Sequence, residues 1–513
     1  MTKSKKRSAV SGRRSPKKRK AKAAPVQSGE KSPAAASVTS HPSQAKAPVP
    51  KPKPIEVPRE FTQPPKTVSE EGLVHMSEEK RTRLLRVPLH YCDGQWFGPN
   101  RRGGFSRYKD SQASALLSEY GFHRAVKNDA GTTECERALL WLMQNNHVGY
   151  AGPLAGWPTG AHQMGPDRVL VTEQLELVKP VAGKWDTVNA LIQGLLDDPE
   201  HDQISVFYIW CASSVQNLYA RMANPGKLPF QHCPALAIFG ERGSGKSALL
   251  SIVLKGIFGE RIGDPFGYLT EGRFNADLFS AALLMLDDKG ASNNLEERRE
   301  RADKLKALIW TESQRMEGKN TNAQVVEPWW RLVIGGNSET SSSLNILPTL
   351  NDSLRDKLTL LKARPAPGLP TDLESKTKWV AALRAELPAF VDWLLKFTVP
   401  KKLKGKLDPR TQVLNFWHPE LESSLLEKQP ECKALEVINE LFAPGWEGSA
   451  TEFYKEVRKR DQAGDFENLF NNIDKCGRLL SELSKSNADR VTKRMKDGLS
   501  RYTINKLVIK PEL

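Results

Sequence analysis

The stretch from Gly240 to Ser247, Gly-Glu-Arg-Gly-Ser-Gly-Lys-Ser, constrains this chain of 513 residues more than any other. It fits G-x-x-x-x-G-K-[ST] at every fixed position. Gly240, Gly243 and Gly245 let the backbone curl, so that successive N–H groups through Glu241, Arg242 and Ser244 face an anion. A helix following such a turn adds its positive N-terminal end. Lys246 supplies a point charge to β and γ phosphates, and Ser247 a hydroxyl to Mg²⁺. The flanks suit the purpose: an apolar strand (235–239) enters and an apolar helix (246–257) leaves. The expected ligands are ATP and Mg²⁺.

A phosphate turn of this kind needs a metal carboxylate at the end of a neighbouring strand. Leu283-Leu-Met-Leu-Asp287-Asp288 offers one, four apolar residues opening into two acids. Asp287 would hold Mg²⁺, directly or through water, and Asp288 would polarise the attacking water. A third apolar run, 331–336, ends at Asn337, whose amide could hold that water and sense the γ-phosphate. An Asn after Gly-Gly equally suits an ordinary turn. Strands separated by helical stretches predict an α/β sheet with crossover helices.

Charge divides the chain. Residues 1–60 hold 16 Lys/Arg against 3 Asp/Glu, which is +13 of the total +16. The basicity therefore belongs to a tail and the body is near neutral. Eleven of the 34 prolines fall by residue 65, and with so little apolar surface the segment 1–70 is expected to be disordered. Its Lys/Arg clusters suit non-specific nucleic-acid contact, a nuclear import signal or simple solubility. No apolar run is long enough to cross a membrane. Six scattered cysteines without Cys-x-x-Cys argue against a zinc ribbon or disulfide framework and point to a reducing compartment. That compartment is expected to be a bacterial or phage-infected cytoplasm, or a nucleus if the host is eukaryotic.

Beyond the tail, 71–180 reads as an α/β accessory region. Within it, residues 95–108 suggest a hairpin whose aromatics form a core face, although arginines among aromatics can also bind single strands. Residues 186–224 carry apolar positions at helical spacing. Residues 401–425 read as a polar linker. The remainder, 426–513, reads as a further domain in which 445–504 run as helix, helix, basic helix and strand, with Arg490, Lys493, Arg494 and Lys496 on the basic helix as phosphate or groove contacts.

Taken together, the three strand-end motifs resemble those of the superfamily 3 helicases of viruses, phages and plasmids, and more closely the helicase part of the phage primase–helicase branch. Lys246 and Ser247 match the first motif, Asp287 and Asp288 the second, Asn337 the third. The resemblance implies a P-loop, AAA+-like ATPase core over 181–400 and a C-terminal winged helix over 426–513. It further implies a homohexameric ring with DNA in its channel and 3′→5′ movement. Basic residues between the second and third motifs (Lys304, Lys306, Arg315, Lys319) match the family's DNA-contacting hairpin segment. Arg355, in NDSLRDK, would reach the neighbouring subunit's γ-phosphate, with Arg331 or Arg364 as alternatives. YAGPLAGW, GPDRVLVTE and Gly183-Lys-Trp185 are similar to the segment preceding the ATPase in phage members. No primase polymerase domain fits, so a separate primase or polymerase would make primers. The function implied is an ATP-dependent DNA helicase in replication of a phage or mobile element. The alternatives are an ATP-switched initiator or loader, and a scaffold or defence ATPase that senses nucleic acid.

Overall fold

The computed structural model describes residues 77–125, 131–270, 272, 274–287, 295–318, 323–338, 347, 352–427, 430–460, 472–496 and 498–506. It is a mixed α/β structure arranged around one parallel sheet. Five strands build that sheet: β7 (Ala235–Gly240), β8 (Ile262–Gly263), β9 (Leu283–Asp287), β12 (Arg331–Asn337) and β13 (Leu358–Ala363). Their spatial order is β13-β7-β12-β9-β8, and every pair is parallel.

Alternation along the strands explains why both faces are dry. Leu236, Ile238, Val333 and Leu361 face one cluster, which contains the helices Asp186–Leu196, Gln203–Ala223 and Leu373–Lys396. Ala235, Ala237, Phe239, Ile334 and Leu360 face the other, with Leu305, Leu308 and Trp417. A parallel strand buried on both faces is apolar at successive positions, and β7 is buried at all six of its residues. The predicted helix 246–257 forms, but Leu249–Leu254 winds as a π-helix within it. The helical run 186–224 is two helices, broken at Asp197–Asp202.

The N-terminal region carries β1 (His90–Cys92), β2 (Gln95–Pro99) and β3 (Phe105–Tyr108) in an antiparallel sheet, plus β4 (Tyr150–Gly152), β5 (Gly160–Met164) and β6 (Asp167–Val171) in a second. Trp96 joins one core cluster and Phe97 and Phe105 another, so the hairpin buries aromatics on both faces, while Arg101, Arg102 and Arg107 are exposed. The turn after β4 reaches the central sheet: Ala155 N–H donates to Phe279 O, and Trp157 Nε1 to Glu327 O.

The segment read as a linker is in fact docked along the sheet. Leu360 N–H donates to Phe416 O and His418 N–H to Leu360 O, so residues 416–418 extend the β13 edge. Trp417, Leu421 and Leu425 then join the core. The polar run before residue 412 hid this, because the apolar anchors lie after it.

The C-terminal lobe has its own core, built from the helices Pro430–Leu441, Ala450–Arg460 and Ile473–Ser486 with β14 (Trp446–Ser449), β15 (Val491–Lys496) and β16 (Leu499–Ile504). Its strand order is β14-β16-β15, all antiparallel. The expected basic helix is therefore a strand. Val491 packs against the lobe's core, and the strand then runs out of it, leaving Lys493 to Lys496 in solvent.

Candidate phosphate site and nucleic-acid surfaces

Strand register brings three predicted groups to one end of the sheet. Asn337 pairs with Gly240, and Gly335 with Asp287. The Gly240–Ser247 turn, Asn337 and Asp287 thus end three adjacent strands, β7, β12 and β9. The Asp287 carboxylate lies over β12, its Oδ1 3.3 Å from where a Cβ on Gly335 would be. Ser247, Glu241, Arg242, Gly243 and Asp287 are exposed and Asn337 is half-buried. Asp288 lies outside the described residues.

The turn has the backbone its sequence demands. Gly245 has φ +104°, in the left-handed region where a side chain would be strained. Gly240 meets a different limit, because a Cβ there would sit 2.2 Å from Ala363 O. Lys246 is 9 % exposed, and its Nζ donates to Gly240 O (2.8 Å), Glu241 O (2.6 Å) and Ser244 Oγ (3.1 Å). The ammonium is thus held by oxygens of its own loop, the kind of acceptor a phosphate also presents. The hydroxyl of Ser247 and the carboxylate of Asp287 are hard oxygen donors suited to Mg²⁺.

A network beside the turn was not anticipated. After β13 the chain passes along the turn, and Ala366 N–H donates to Ser244 O. Arg364 Nη2 and His418 Nε2 lie 3.0 and 3.1 Å from Asp198 Oδ2. Asp198 Oδ1 accepts from Glu200 N–H and His201 N–H. Burial pushes the Asp198 carboxyl up, but the Glu200 N–H, His418 and Arg364 outweigh it and hold it below the usual value. Asp198, His201 and His418 place their donor atoms within 4.8 Å of one another. The Arg364 guanidinium already supplies the positive charge at that carboxylate. Only tertiary contact reveals this group, since its members are separated by up to 220 residues.

Arg355 lies at the other end of the sheet. It precedes β13, whose first residue Leu358 pairs with Ala235, the first of β7. The rise of β7 puts that end roughly 17 Å from the phosphate turn of the same chain. Arg355 is exposed, ion-paired with Glu422, and its guanidinium lies over the Trp417 ring. Arg331 is 3 % exposed and donates to Ser214 Oγ, Trp330 O and Gln231 O, so it cannot reach a neighbouring molecule. Arg364 is committed to Asp198.

The basic segment between β9 and β12 forms the helix Leu295–Trp310 and a hairpin of β10 (Gln314–Met316) and β11 (Gln324–Val326). Lys304 Nζ donates to Tyr268 O, and Lys306 pairs with Asp303. Arg315 is largely exposed and pairs with Glu317, while Lys319 lies outside the described residues. The buried Asn275 pins the hairpin base: its Nδ2 donates to Arg315 O, its Oδ1 accepts from Glu317 N–H, and its N–H donates to Glu317 O. In the C-terminal lobe Lys493, Arg494 and Lys496 are exposed. Arg490 is a correction. It is 7 % exposed and its guanidinium donates to Asn439 Oδ1, Ile438 O and Phe442 O, closing the end of the helix Pro430–Leu441.

Among the described residues no helix is long and apolar enough to cross a membrane. Residues 238–347, from within β7 past the end of β12, match a family of unknown function, DUF5906. No curated protein matches. Solved structures similar to this chain include the NrS-1 C-terminal region, at 14 % identity over 81 % of this chain and 95 % of that one, with a TM-score of 0.47. A JCV helicase is 15 % identical over 49 % of this chain and 60 % of its own, with a TM-score of 0.25. An SCCmec type IV Cch described as an active helicase is 12 % identical over 76 % and 67 %, with a TM-score of 0.27.

Proposed function

We propose that the protein is an ATP-dependent DNA translocase or helicase of the superfamily 3 kind, acting in replication of a phage or mobile element as a ring of subunits. The observation that carries this reading is the register of three strand ends: a glycine turn with its lysine, an aspartate and an asparagine stand side by side on β7, β9 and β12. The strand order β13-β7-β12-β9-β8 suits a P-loop, AAA+-like core, because the phosphate strand is flanked by the strand bearing the polar amide. Three helices with a two-stranded hairpin and a third short strand suit a winged helix in the C-terminal lobe.

In this mechanism Lys246 leaves its own loop carbonyls for the β and γ phosphates when ATP enters. The backbone N–H groups of Gly243 to Ser247 bind the remaining phosphate oxygens. Ser247 and Asp287 would hold Mg²⁺, which when bound would neutralise charge spread over the transferring phosphoryl group. Asn337 orients the attacking water and Asp288 polarises it. Arg355 is too far from its own turn to take part there. It serves the site of the next subunit, which makes hydrolysis depend on assembly. Lys304 and Lys306 on the helix Leu295–Trp310, Arg315 on the hairpin that Asn275 anchors, and Lys319 then pass the change to one DNA strand.

The test is ATP turnover by the full chain with and without single-stranded DNA, alongside strand displacement. Wild type is expected to hydrolyse ATP faster when DNA is present. Lys246→Ala is expected to lose at least about 100-fold in turnover and all displacement. Equal turnover by the two proteins would remove the reading.

A further inference from the structure

The tip of the β15–β16 hairpin combines features that neither the phosphate site nor a plain cationic patch explains. Met495 and Leu499 are 67 % and 68 % exposed, more than any other large apolar side chain among the described residues except Leu373. They do not form one patch. Met495 pairs with Ser500, and Lys496 with Leu499. Partners across an antiparallel pair share a face and successive residues alternate, so the two apolar side chains leave opposite faces of the blade. Cations stand beside them: Lys493, Arg494 and Lys496 are exposed.

The blade stands on a firm base. Tyr502 is buried and its hydroxyl donates to Gly477 O, while Lys493 Nζ donates to Ser481 Oγ. Both bonds tie the hairpin to the helix Ile473–Ser486. Between hairpin and helix runs an open groove of about 450 Å³ lined by Arg478, Ser481, Lys493 and Ser500 among others. Its two cations, Arg478 and Lys493, outnumber the one acid of the lining, Asp474, and with the Ser481 and Ser500 hydroxyls they suit a phosphate backbone, while Ala450 and Ile473 make part of the groove apolar. A protein partner would be met by apolar residues gathered on one face. A thin tip that is apolar on both faces and has cations beside it suits insertion between stacked bases, where apolar wedges unstack a step while basic residues grip the backbone.

We propose that this tip is a wedge: Met495 and Leu499 enter the junction of a DNA fork and part its first base pair, while Lys493, Arg494 and Lys496 hold the flanking phosphates. The proposal deepens the DNA-motor reading above and rests on it.

The experiment uses the full chain without nucleotide, so that it does not depend on hydrolysis. A forked DNA carries 2-aminopurine at the first pair of the duplex, and fluorescence is read at saturating protein. Wild type is expected to raise it by about twofold as the base unstacks. Met495→Ser with Leu499→Ser should bind the fork within about threefold of wild type yet lose the rise, since these exposed side chains carry no phosphate contact. Lys493→Ala with Arg494→Ala and Lys496→Ala should weaken binding by about tenfold or more at moderate salt, yet keep the rise at saturation. Thermal melts of each variant check folding. An unchanged rise in the apolar variant would overturn the wedge, as would a change in its mass in solution, which would mark the tip as a contact between copies. ATP turnover by wild type without unstacking would overturn the wedge alone. Unstacking without turnover would overturn the motor reading, and with it the wedge as part of a motor, leaving only a tip that unstacks bases.

Discussion

At the residue scale, buried ionisable groups are held by specific and opposing forces. Lys246 is nearly buried, and its own loop supplies three oxygens to its Nζ. That economy was legible, because the spacing of the glycines and the lysine dictates the turn. His90 was not legible. It is buried against Phe105, and its Nδ1 has no partner. Burial first, then the nearby Arg168, lowers its pKa from 6.5 to about 3. The unfolded chain therefore binds a proton here that the folded chain refuses. Stability from this group is complete above pH 6.5 and is lost as pH falls toward 3. Thermal melts of wild type should show a midpoint falling with acidity across that window, and His90→Phe should flatten the fall. An equal slope in the two would mean that other groups govern acid sensitivity.

At the scale of elements, the central strands followed from composition alone. Runs such as Ala235–Phe239 and Arg331–Gly336 are too short for buried helices and too apolar for exposed strands. Elements whose apolar residues are interrupted were missed. β13 contains Thr359 and Lys362, and the edge segment at 416–418 contains His418. Neither reads as a buried strand until its neighbours are in place. The edge segment is nonetheless firmly bound. Trp417 is 9 % exposed and its Nε1 donates to Leu358 O at 2.8 Å. Trp417→Ala is expected to destabilise the protein by about 3–5 kcal/mol, the range for removing a buried aromatic. Urea unfolding measures it. A loss below about 1 kcal/mol would mean that residues 413–425 detach easily and act as a linker after all.

At the scale of the whole molecule, the sheet separates two roles along its strands. The glycine turn stands at one end and Arg355 at the other, separated within one chain by the length of β7. A subunit-mixing experiment decides between action in the same chain and action across subunits. Lys246→Ala and Arg355→Ala should each lose most turnover alone, by about 100-fold or more. Mixed in equal amounts, they should recover a measurable part of wild-type turnover, since some interfaces then pair an intact turn with an intact arginine. No recovery, with assembly intact by mass, would place the arginine's role elsewhere.

The amino-acid order alone determined the glycine turn, the strand ends that carry Asp287 and Asn337, and the α/β class. These depend on local spacing and on the short apolar runs of buried parallel strands, which survive in one dimension. It also separated the basic tail from the near-neutral body. Other features were decided only in three dimensions, because each depends on which distant residue becomes a neighbour. Arg490 and Arg331 look like any exposed cation in the sequence, yet carbonyls far along the chain enclose them. Asp198, Arg364 and His418 meet only after the chain has crossed the sheet. The two-sided apolar tip at Met495 and Leu499 exists because strand pairing, not helical winding, sets which way those side chains leave the backbone.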